Sequence, residues 1–236
     1  MPDKVVVLKG GGDVGSAVAH LLYRRGYLPV IVESPTPSTT RRRMAFATAV
    51  FEGEAELEGV RAERVDSLEA LKALLLWGKV VPVFVGPVEA VLATLTPGVV
   101  VDARMRKRET PEVQIDQAPL VIGLGPGFRA GATVHVVIET NRGPHLGHII
   151  AAGSAESYTG EPISIAGYKR ERYSYAPTSG TFHTTLDIGM RVQSGDVLGR
   201  VGPHELRAQV SGIIRGITRD KIGVFQRTKV AATRKS

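Results

Sequence analysis

The chain has 236 residues, 43% of them hydrophobic, and no cysteine, so it can bury a sizeable core but offers no disulfide and no cysteine nucleophile. Its apolar runs are short and its first residues lack the features of a signal peptide, which excludes a membrane span and favours a cytoplasmic location.

The net charge of +7 is concentrated near the C-terminus. Residues 215–236 contain seven Lys or Arg and one acid, which leaves a net charge of +1 for the other 214 residues. Runs of like charge are usually solvated, and only 6% of the residues are aromatic. We therefore expect a basic tail at 231–236, and we expect neither a nucleic acid nor a membrane as a partner.

The first elements predict a nucleotide-binding βαβ unit over residues 5–33. An apolar run leads into a glycine-rich loop, a helical stretch follows, and a second apolar run ends in Glu33. A G-x-G-x-x-G loop lets backbone amides approach a pyrophosphate at a helix N-terminus. The predicted cradle consists of Gly10, Gly11, Gly12, Asp13, Val14 and Gly15.

Glu33 lies 18 residues beyond Gly15, about where a carboxylate meets an adenosine ribose, and it would favour NAD over NADP. The alternative is that the glycines serve tight packing, because Asp13 puts a carboxylate where the phosphates would lie.

The next part of the chain continues an α/β pattern. Helices are predicted over 40–51, 67–77 and 88–95, and strands over 80–86 and 99–103. This alternation predicts a Rossmann-like, mainly parallel sheet. Asp102 and Arg104 follow a strand at the edge where such sheets bind ligands. Equally, Asp102 could cap a turn while Arg104 covers surface.

A second glycine-rich stretch, GLGPGFRAG, follows a further apolar strand. Gly125 and Gly127 allow close backbone approach, but their spacing is not a dinucleotide fingerprint, since Pro126 removes an N–H donor. Three polar residues follow the next strand. Glu139 accepts hydrogen bonds, Asn141 carries an amide, and Arg142 carries a guanidinium group that can bind an anion. His145 and His148 have i, i+3 spacing, but no third ligand is identified, so no metal site is predicted.

From about Tyr173 the pattern changes to short strands and turns. The sequence pattern G-x-x-V-x-x-G-x-x-L-x-x-V occurs in biotinyl and lipoyl domains, which are β-sandwiches. This chain resembles it at Gly189, Val192, Gly195, Leu198 and Val201. The hairpin tip has His204 and no lysine for a carrier amide, so packing or protein contact is expected instead. The predicted domains are 1–170 (α/β, cofactor-binding), 171–230 (lipoyl-like β module) and 231–236 (basic tail).

Taken in order, VVVLKGGGDVGSAVAHLLYRRGY, VVVDARMRKR, GLGPGFRAG, VIETNRG and APTSGTF resemble the accessory proteins of the selenium-dependent molybdenum hydroxylase system. These are distantly similar to xanthine dehydrogenase accessory factors. The resemblance implies a maturation factor that binds the molybdenum cofactor and has a molybdenum hydroxylase as its partner.

Three functional hypotheses follow. The first is maturation of a molybdenum hydroxylase, with molybdopterin dinucleotide or another nucleotide bound at the glycine loop. The second is an NAD-dependent oxidoreductase, whose proton donor would be His135, His145, His148 or Tyr158. The third is a noncatalytic scaffold, with a homo-oligomer formed through an edge strand as an open alternative.

Overall fold

The computed structural model describes residues 4–106, 110–162 and 164–235. The chain divides into two compact units. The α/β unit comprises residues 1–35 and 45–159, and the β unit comprises residues 36–44 and 160–236. Within the described ranges, no helix is both long enough and apolar enough to cross a membrane.

The α/β unit begins with alternating strands and helices. They are β1 (Val5–Lys9), α1 (Asp13–Arg24), β2 (Leu28–Glu33), α2 (Ala49–Glu52), β3 (Glu54–Leu57), β4 (Val60–Val65), α3 (Leu68–Trp77), β5 (Val81–Val85), α4 (Val88–Leu95) and β6 (Val99–Asp102). Strands alone follow: β7 (Leu120–Leu124), β8 (Arg129–Ala130), β9 (Val136–Ile138), β10 (Ile149–Ile150) and β11 (Gly153–Ser154).

Nine of these strands form one mixed sheet in the order β10-β9-β7-β6-β1-β2-β5-β4-β3. The central neighbours are parallel, whereas β9–β10 and β3–β4 pair antiparallel. The chain runs from β1 to β2 on one side and later returns to place β6 on the other side of β1. Such a reversal creates a crevice at the carboxyl ends of the two strands.

Local signals explain most of these elements. All five residues of β1 are buried, as expected for a strand covered on both faces. Ser67 caps α3 by accepting the amide of Ala70 at 3.2 Å, and Gly78 ends that helix in the left-handed conformation. The helices predicted over 67–77 and 88–95 are therefore confirmed.

The helix predicted over 40–51 is wrong. This stretch contains two short 3-10 turns, at Arg42–Met44 and Phe46–Thr48, before the single turn of α2. Phe46 and Ala47 are fully buried, and the amide of Ala47 donates to the Gly11 carbonyl at 2.9 Å. This segment turns to reach the glycine loop, so tertiary packing overrides the helical propensity of its alanines.

The predicted Rossmann-like fold is also corrected. In the described part of the chain, the four α-helices lie between β1 and β6, and the connections after β6 contain only short 3-10 turns and loops. A doubly wound fold would need helical crossovers in both halves of the sheet. The molecule instead contains one large mixed sheet and several small antiparallel sheets, including the pair β8–β11.

The described residues of the β unit form eight strands. They are β12 (Tyr173–Tyr175), β13 (Gly180–His183), β14 (Arg191–Val192), β15 (Val197–Val201), β16 (His204–Arg207), β17 (Gly212–Ile217), β18 (Ile222–Val224) and β19 (Lys229–Arg234). They form two antiparallel sheets, β12-β19-β17-β14 and β16-β15-β13-β18, that share one hydrophobic core.

Residues 36–44 belong to the β unit although they are distant in sequence. The amide of Ile217 donates to the Thr40 carbonyl at 2.8 Å, and Arg42 Nε donates to the Ile217 carbonyl at 3.0 Å. Arg42 also pairs with Asp187 at 2.7 Å. These bonds extend the ladder of β17 beyond the short strand β14.

The predicted tail overlaps a strand of the β unit. Residues 229–234 form β19, which pairs with β12 on one side and β17 on the other. Val230, Ala231 and Thr233 are buried, so an ordered strand is needed to cover the core. Ser236, the last residue of the predicted tail, lies outside the described residues.

Candidate functional site at the carboxyl edge of the sheet

The candidate site lies at the carboxyl edge, by which we mean the adjacent ends of β2, β1, β6, β7 and β9. Strand pairing places Lys9 opposite Asp102 and Asp102 opposite Gly123. The glycine loop, the Asp102–Arg104 turn and the start of the second glycine stretch are therefore neighbours. Arg142 lies farther out, on an exposed loop after β9.

Packing within the α/β unit accounts for the glycines of the first loop. Gly10 has a φ of +96°, and a Cβ on Gly15 would collide with the Gly10 carbonyl oxygen. A Cβ on Gly11 would lie 2.9 Å from the Ile31 side chain and 3.2 Å from the Ala47 amide. The loop thus needs glycines because strand, helix and the segment after residue 44 all approach it closely.

Glu33 binds the glycine loop itself. Its carboxylate accepts the Gly11 amide at 2.7 Å and the Ser34 amide at 2.8 Å. Ser16 Oγ donates to the Gly11 carbonyl at 2.9 Å and accepts the Phe46 amide at 2.7 Å. The loop is therefore tied on both sides by its own chain.

This arrangement gives a physical reason to correct the nucleotide-binding interpretation. Glu33 uses its carboxylate to hold the loop, at an amide that a phosphate-binding loop would present to its ligand. Asp13 adds a second carboxylate in the first turn of α1. Two negative charges beside the loop oppose the approach of a pyrophosphate. Gly12 and Val14, the remaining members of the predicted cradle, begin this helix.

A charged cluster occupies the end of β6. The Asp102 side chain is 1% exposed and accepts Arg104 Nε at 3.0 Å, the Arg104 amide at 3.1 Å and Gln114 Nε2 at 2.9 Å. Burial would raise the pKa of Asp102, but the hydrogen bonds and charge of Arg104 outweigh it and leave that pKa below its ordinary value. Asp102 therefore stays ionised and fixes the orientation of Arg104.

Arg104 and Arg106 together hold Glu112 in an arrangement that we call the arginine clamp. Arg104 Nη2 lies 2.5 Å from Glu112 Oε1, and Arg106 Nη2 lies 2.6 Å from Glu112 Oε2. Burial opposes ionisation, yet these hydrogen bonds lower the pKa of Glu112 to about 2. The Glu112 side chain is 46% exposed, so the clamp holds a carboxylate at the protein surface.

Lys9, at the end of β1 opposite Asp102, is the buried cation of this cluster. It is 3% exposed, and its Nζ donates to Gln114 Oε1 at 2.5 Å and to Gln117 Oε1 at 2.6 Å. Burial, with a further contribution from the charge of Arg104, lowers the pKa of Lys9. Gln114 bonds to both Lys9 and Asp102, so it joins the two ionisable groups into one network.

Sequence reasoning identified Asp102 and Arg104 but not Lys9, Arg106 or Glu112 as members of this cluster. Lys9 carried a usable signal, because a lysine that ends an otherwise apolar buried strand must find partners for its ammonium group. Glu112 had no such signal, since nothing in the sequence around it predicts that it pairs with Arg104, eight residues earlier.

The predicted residues after β9 form a separate cluster. Glu139 is 2% exposed, and its carboxylate accepts the amides of Asn141 at 2.6 Å and Glu156 at 2.7 Å. Asn141 Nδ2 donates to Glu156 at 2.5 Å, and His145 Nδ1 lies 2.9 Å from the same carboxylate. The hydrogen bond with His145 lowers the pKa of Glu156. These hydrogen bonds join the segment that contains Asn141 and His145 to Glu156.

The second glycine stretch lies beside that loop. The Gly125 amide donates to the Ile138 carbonyl at 2.9 Å, and a Cβ on Gly125 would collide with Thr140 Oγ1. Gly127 has a φ of +96°. Within the ranges that the structure describes, no group of three or more His, Asp or Glu side chains could hold a metal ion.

Comparisons with known proteins give one substantial sequence relative. No family model matches the chain. The chain is 40% identical over 228 residues to Escherichia coli K12 YqeB, a curated protein described as uncharacterized. The match covers 96% of this chain but only 42% of YqeB, so the chain spans less than half the length of that relative.

Solved structures with some similarity include a succinylglutamate desuccinylase/aspartoacylase from Rhodobacter sphaeroides, at 20% identity and a TM-score of 0.26, covering 37% of this chain and 30% of that one. The apo ectoine utilization protein EutE (DoeB) from Ruegeria pomeroyi has 12% identity and a TM-score of 0.30, with 98% and 86% coverage. A Mesorhizobium loti aspartoacylase family protein has 13% identity and a TM-score of 0.27, with 93% and 60% coverage. Such scores assign neither a fold nor an activity.

These comparisons contradict the predicted resemblance to molybdenum hydroxylase accessory proteins. The solved structures named above carry aspartoacylase-family and ectoine-utilization titles, and none is a molybdenum hydroxylase accessory factor. The predictions of cofactor maturation, of a molybdenum hydroxylase partner and of a Rossmann domain with a lipoyl-like β-sandwich are withdrawn with it. The NAD-dependent oxidoreductase and scaffold alternatives are withdrawn as well.

Proposed function

We propose that the protein binds a small molecule through a carboxylate group, which Arg104 and Arg106 hold at the carboxyl edge of the sheet. The observation that carries the proposal is the arginine clamp, in which two guanidinium groups already hold an exposed carboxylate, that of Glu112. Glu112 then acts as an internal stand-in for the ligand's carboxylate.

The orientation of Arg104 supports this proposal. Asp102 is buried and bonds to both the backbone and the side chain of Arg104, so that guanidinium is held in place before any ligand arrives. A guanidinium fork matches the planar geometry of a carboxylate, and charge-assisted bonds of this kind are stronger than neutral ones. Preorganisation of this sort reduces the entropy cost of binding.

The position of the clamp supports the proposal as well. Arg104 follows β6, and β6 and β1 flank the point at which the order of the parallel strands reverses. Ligands of open α/β sheets bind in the crevice outside such a point. The neighbouring glycine loop is closed by Glu33, so the free space for a ligand would lie on the side of Arg104 and Arg106.

Titration calorimetry with succinate, glutarate and inorganic phosphate tests the proposal. We expect the dicarboxylates to bind in preference to phosphate. Replacing Glu112 with Gln should strengthen dicarboxylate binding by about twofold, since an exposed ion pair that competes with the ligand is worth about 0.5 kcal/mol. Arg106→Gln should weaken it by about tenfold, because a charge-assisted hydrogen bond is lost.

The matched control is Glu54→Gln. Glu54 also pairs with an arginine, Arg61, at 2.8 Å, and both side chains are exposed on β3 and β4. This variant should leave dicarboxylate affinity unchanged. Equal affinities for the wild type, Glu112→Gln and Arg106→Gln would refute the site. The predicted cytoplasmic location stays a prediction.

A further inference from the structure

Charge is divided very unevenly between the two units of the chain. The β unit, residues 36–44 and 160–236, contains 16 Lys or Arg and six Asp or Glu, a formal net charge of +10. The α/β unit therefore has a net charge of −3. The excess positive charge belongs to a folded β unit that includes β17, β18 and β19. A polyanion is the ligand that such an excess attracts.

The register of the sheet β12-β19-β17-β14 places several of these cations on one face. Arg191 pairs with Ile213, and Ile213 pairs with Arg234. Directly opposed residues of antiparallel strands point to the same side of a sheet. Arg191 and Arg234 are exposed, whereas the adjacent residues Val192, Ile214 and Thr233 are buried. The two arginines therefore lie on the solvent face of this sheet.

Two tyrosines extend that face toward the other end of β19. Tyr173 pairs with Ala232, which is two residues from Arg234 on the same strand, and Tyr175 pairs with Lys229. The rings of Tyr173 and Tyr175 are 6.5 Å apart, and Lys229 Nζ lies 5.3 Å from the centre of the Tyr173 ring. We call Arg191, Arg234, Lys229, Tyr173 and Tyr175 the basic face.

Against the expectation from composition, we propose that the basic face binds single-stranded nucleic acid, mainly through its phosphodiester backbone. From Lys229 to Arg234 the strand spans about 17 Å, which is long enough for consecutive phosphates of a single strand to lie along it. The cations contact phosphates, and the Tyr175 ring offers a surface on which a base stacks without sequence preference. The Tyr173 ring already has Lys229 and the Arg172 guanidinium against it, the latter 4.9 Å from its centre, so it supports the cations of the face. An acidic protein segment would use the charges but not the rings, so nucleic acid fits the face better.

Fluorescence anisotropy of the full chain with a labelled 15-nucleotide oligo(dT) tests this inference. The paired variant Arg191→Gln with Arg234→Gln should weaken binding at least tenfold and reduce the salt dependence. Each lost phosphate contact lowers the slope of log K against log salt by about 0.7, so two should lower it by about 1.4. Tyr175→Ala should weaken binding by about tenfold through lost stacking.

The matched control is Arg25→Gln with Lys72→Gln, which removes the same charge from two exposed positions of the α/β unit. We expect this variant to keep the wild-type affinity and slope. Circular dichroism melts of all variants check that the fold is kept. The inference is refuted if both paired variants lose affinity equally, or if polyglutamate of the same charge competes as well as unlabelled oligo(dT).

Discussion

The glycine loop after β1 and the arginine clamp after β6 occupy neighbouring strand ends, yet they are built in opposite ways. The hydrogen bonds of the loop fix Gly11 from both sides: Glu33 accepts the Gly11 amide, and the Ala47 amide and the Ser16 hydroxyl donate to the Gly11 carbonyl. The clamp rests on a buried carboxylate, Asp102, but directs its guanidinium groups to the surface. A loop rich in glycine is therefore a sign of close packing here, whereas a fixed arginine that keeps about a third of its side chain exposed is the feature on which the proposed ligand site rests.

The largest effect should come from the packing of the loop. Gly15→Ala should destabilise the fold by about 3 kcal/mol, because the new methyl group would collide with the Gly10 carbonyl and rigid backbone must move. Urea denaturation measures this difference.

Gly143→Ala is the control, since a Cβ there meets nothing within 4 Å. If Gly15→Ala were as stable as the wild type, the loop would have room for side chains, and its interpretation as a packed element would fail.

Removing the charge of Asp102, which supports Arg104, should have the next largest effect on the free energy of unfolding. Asp102→Asn should destabilise the fold by about 2 kcal/mol, less than for a fully buried pair, because Arg104 retains 31% exposure and can be partly hydrated. The free energy of unfolding from urea titration at pH 7 checks this value.

Asp66→Asn serves as the comparison variant. Asp66 pairs with Arg64 at 2.8 Å, but its side chain is 60% exposed, so the change should cost less than about 0.5 kcal/mol. Similar losses for the two variants would show that Asp102 is no more important than a surface ion pair.

The hydrogen bonds between Glu33 and the glycine loop should contribute less to the free energy of unfolding than Asp102 does. Glu33→Ala removes the acceptor of the Gly11 and Ser34 amides, and we expect a loss of about 1 kcal/mol from the free energy of unfolding. Hydrogen exchange of the Gly11 amide should become faster in the same variant.

Glu56→Ala, at an exposed position on β3, controls for the loss of a surface carboxylate. An unchanged exchange rate at Gly11 in Glu33→Ala would mean that Glu33 does not hold the loop.

The smallest effect concerns the dependence of stability on pH. Because the pKa of Glu112 is lowered to about 2, its contribution is present above the ordinary glutamate value of about 4.3 and is lost as the pH falls toward 2. Glu112→Gln should therefore show a flatter decline between pH 5 and pH 2, while at pH 7 it differs from the wild type by about 0.5 kcal/mol or less.

Urea titrations at successive pH values measure both profiles. The other carboxylates are present in both proteins, so the difference between the profiles reports mainly the loss of Glu112 and its effect on Arg104 and Arg106. Parallel profiles over this range would show that the clamp does not favour the ionised carboxylate.

Local patterns in the sequence predicted much of the α/β unit. The buried run of β1, the serine cap of α3 and the glycine that ends it are signals within a few residues of one another. The stretch 40–51 was mispredicted, since its alanines favour a helix while distant partners require turns: Thr40 bonds to Ile217, and Ala47 bonds to Gly11. No local pattern encodes such contacts.

The candidate site shows the same limit. Glycine spacing and the position of Asp102 after a strand are visible in the sequence. The bond from Glu33 to Gly11 spans 22 residues, and that from Lys9 to Gln114 spans 105. The basic residues near the C-terminus predict a solvated tail. Val230, Ala231 and Thr233 lie among them and are buried in the core, which only the folded sheet shows.

The attachment of residues 36–44 to the β unit has a consequence for synthesis. Thr40 precedes its partner Ile217 by 177 residues, so at about 5–20 residues per second it waits roughly 10–35 seconds for that partner to be made. During this interval the α/β unit can begin to fold while a polar loop of nine residues extends from it. A chaperone or protease acting on the nascent chain would meet this loop as an early and accessible target.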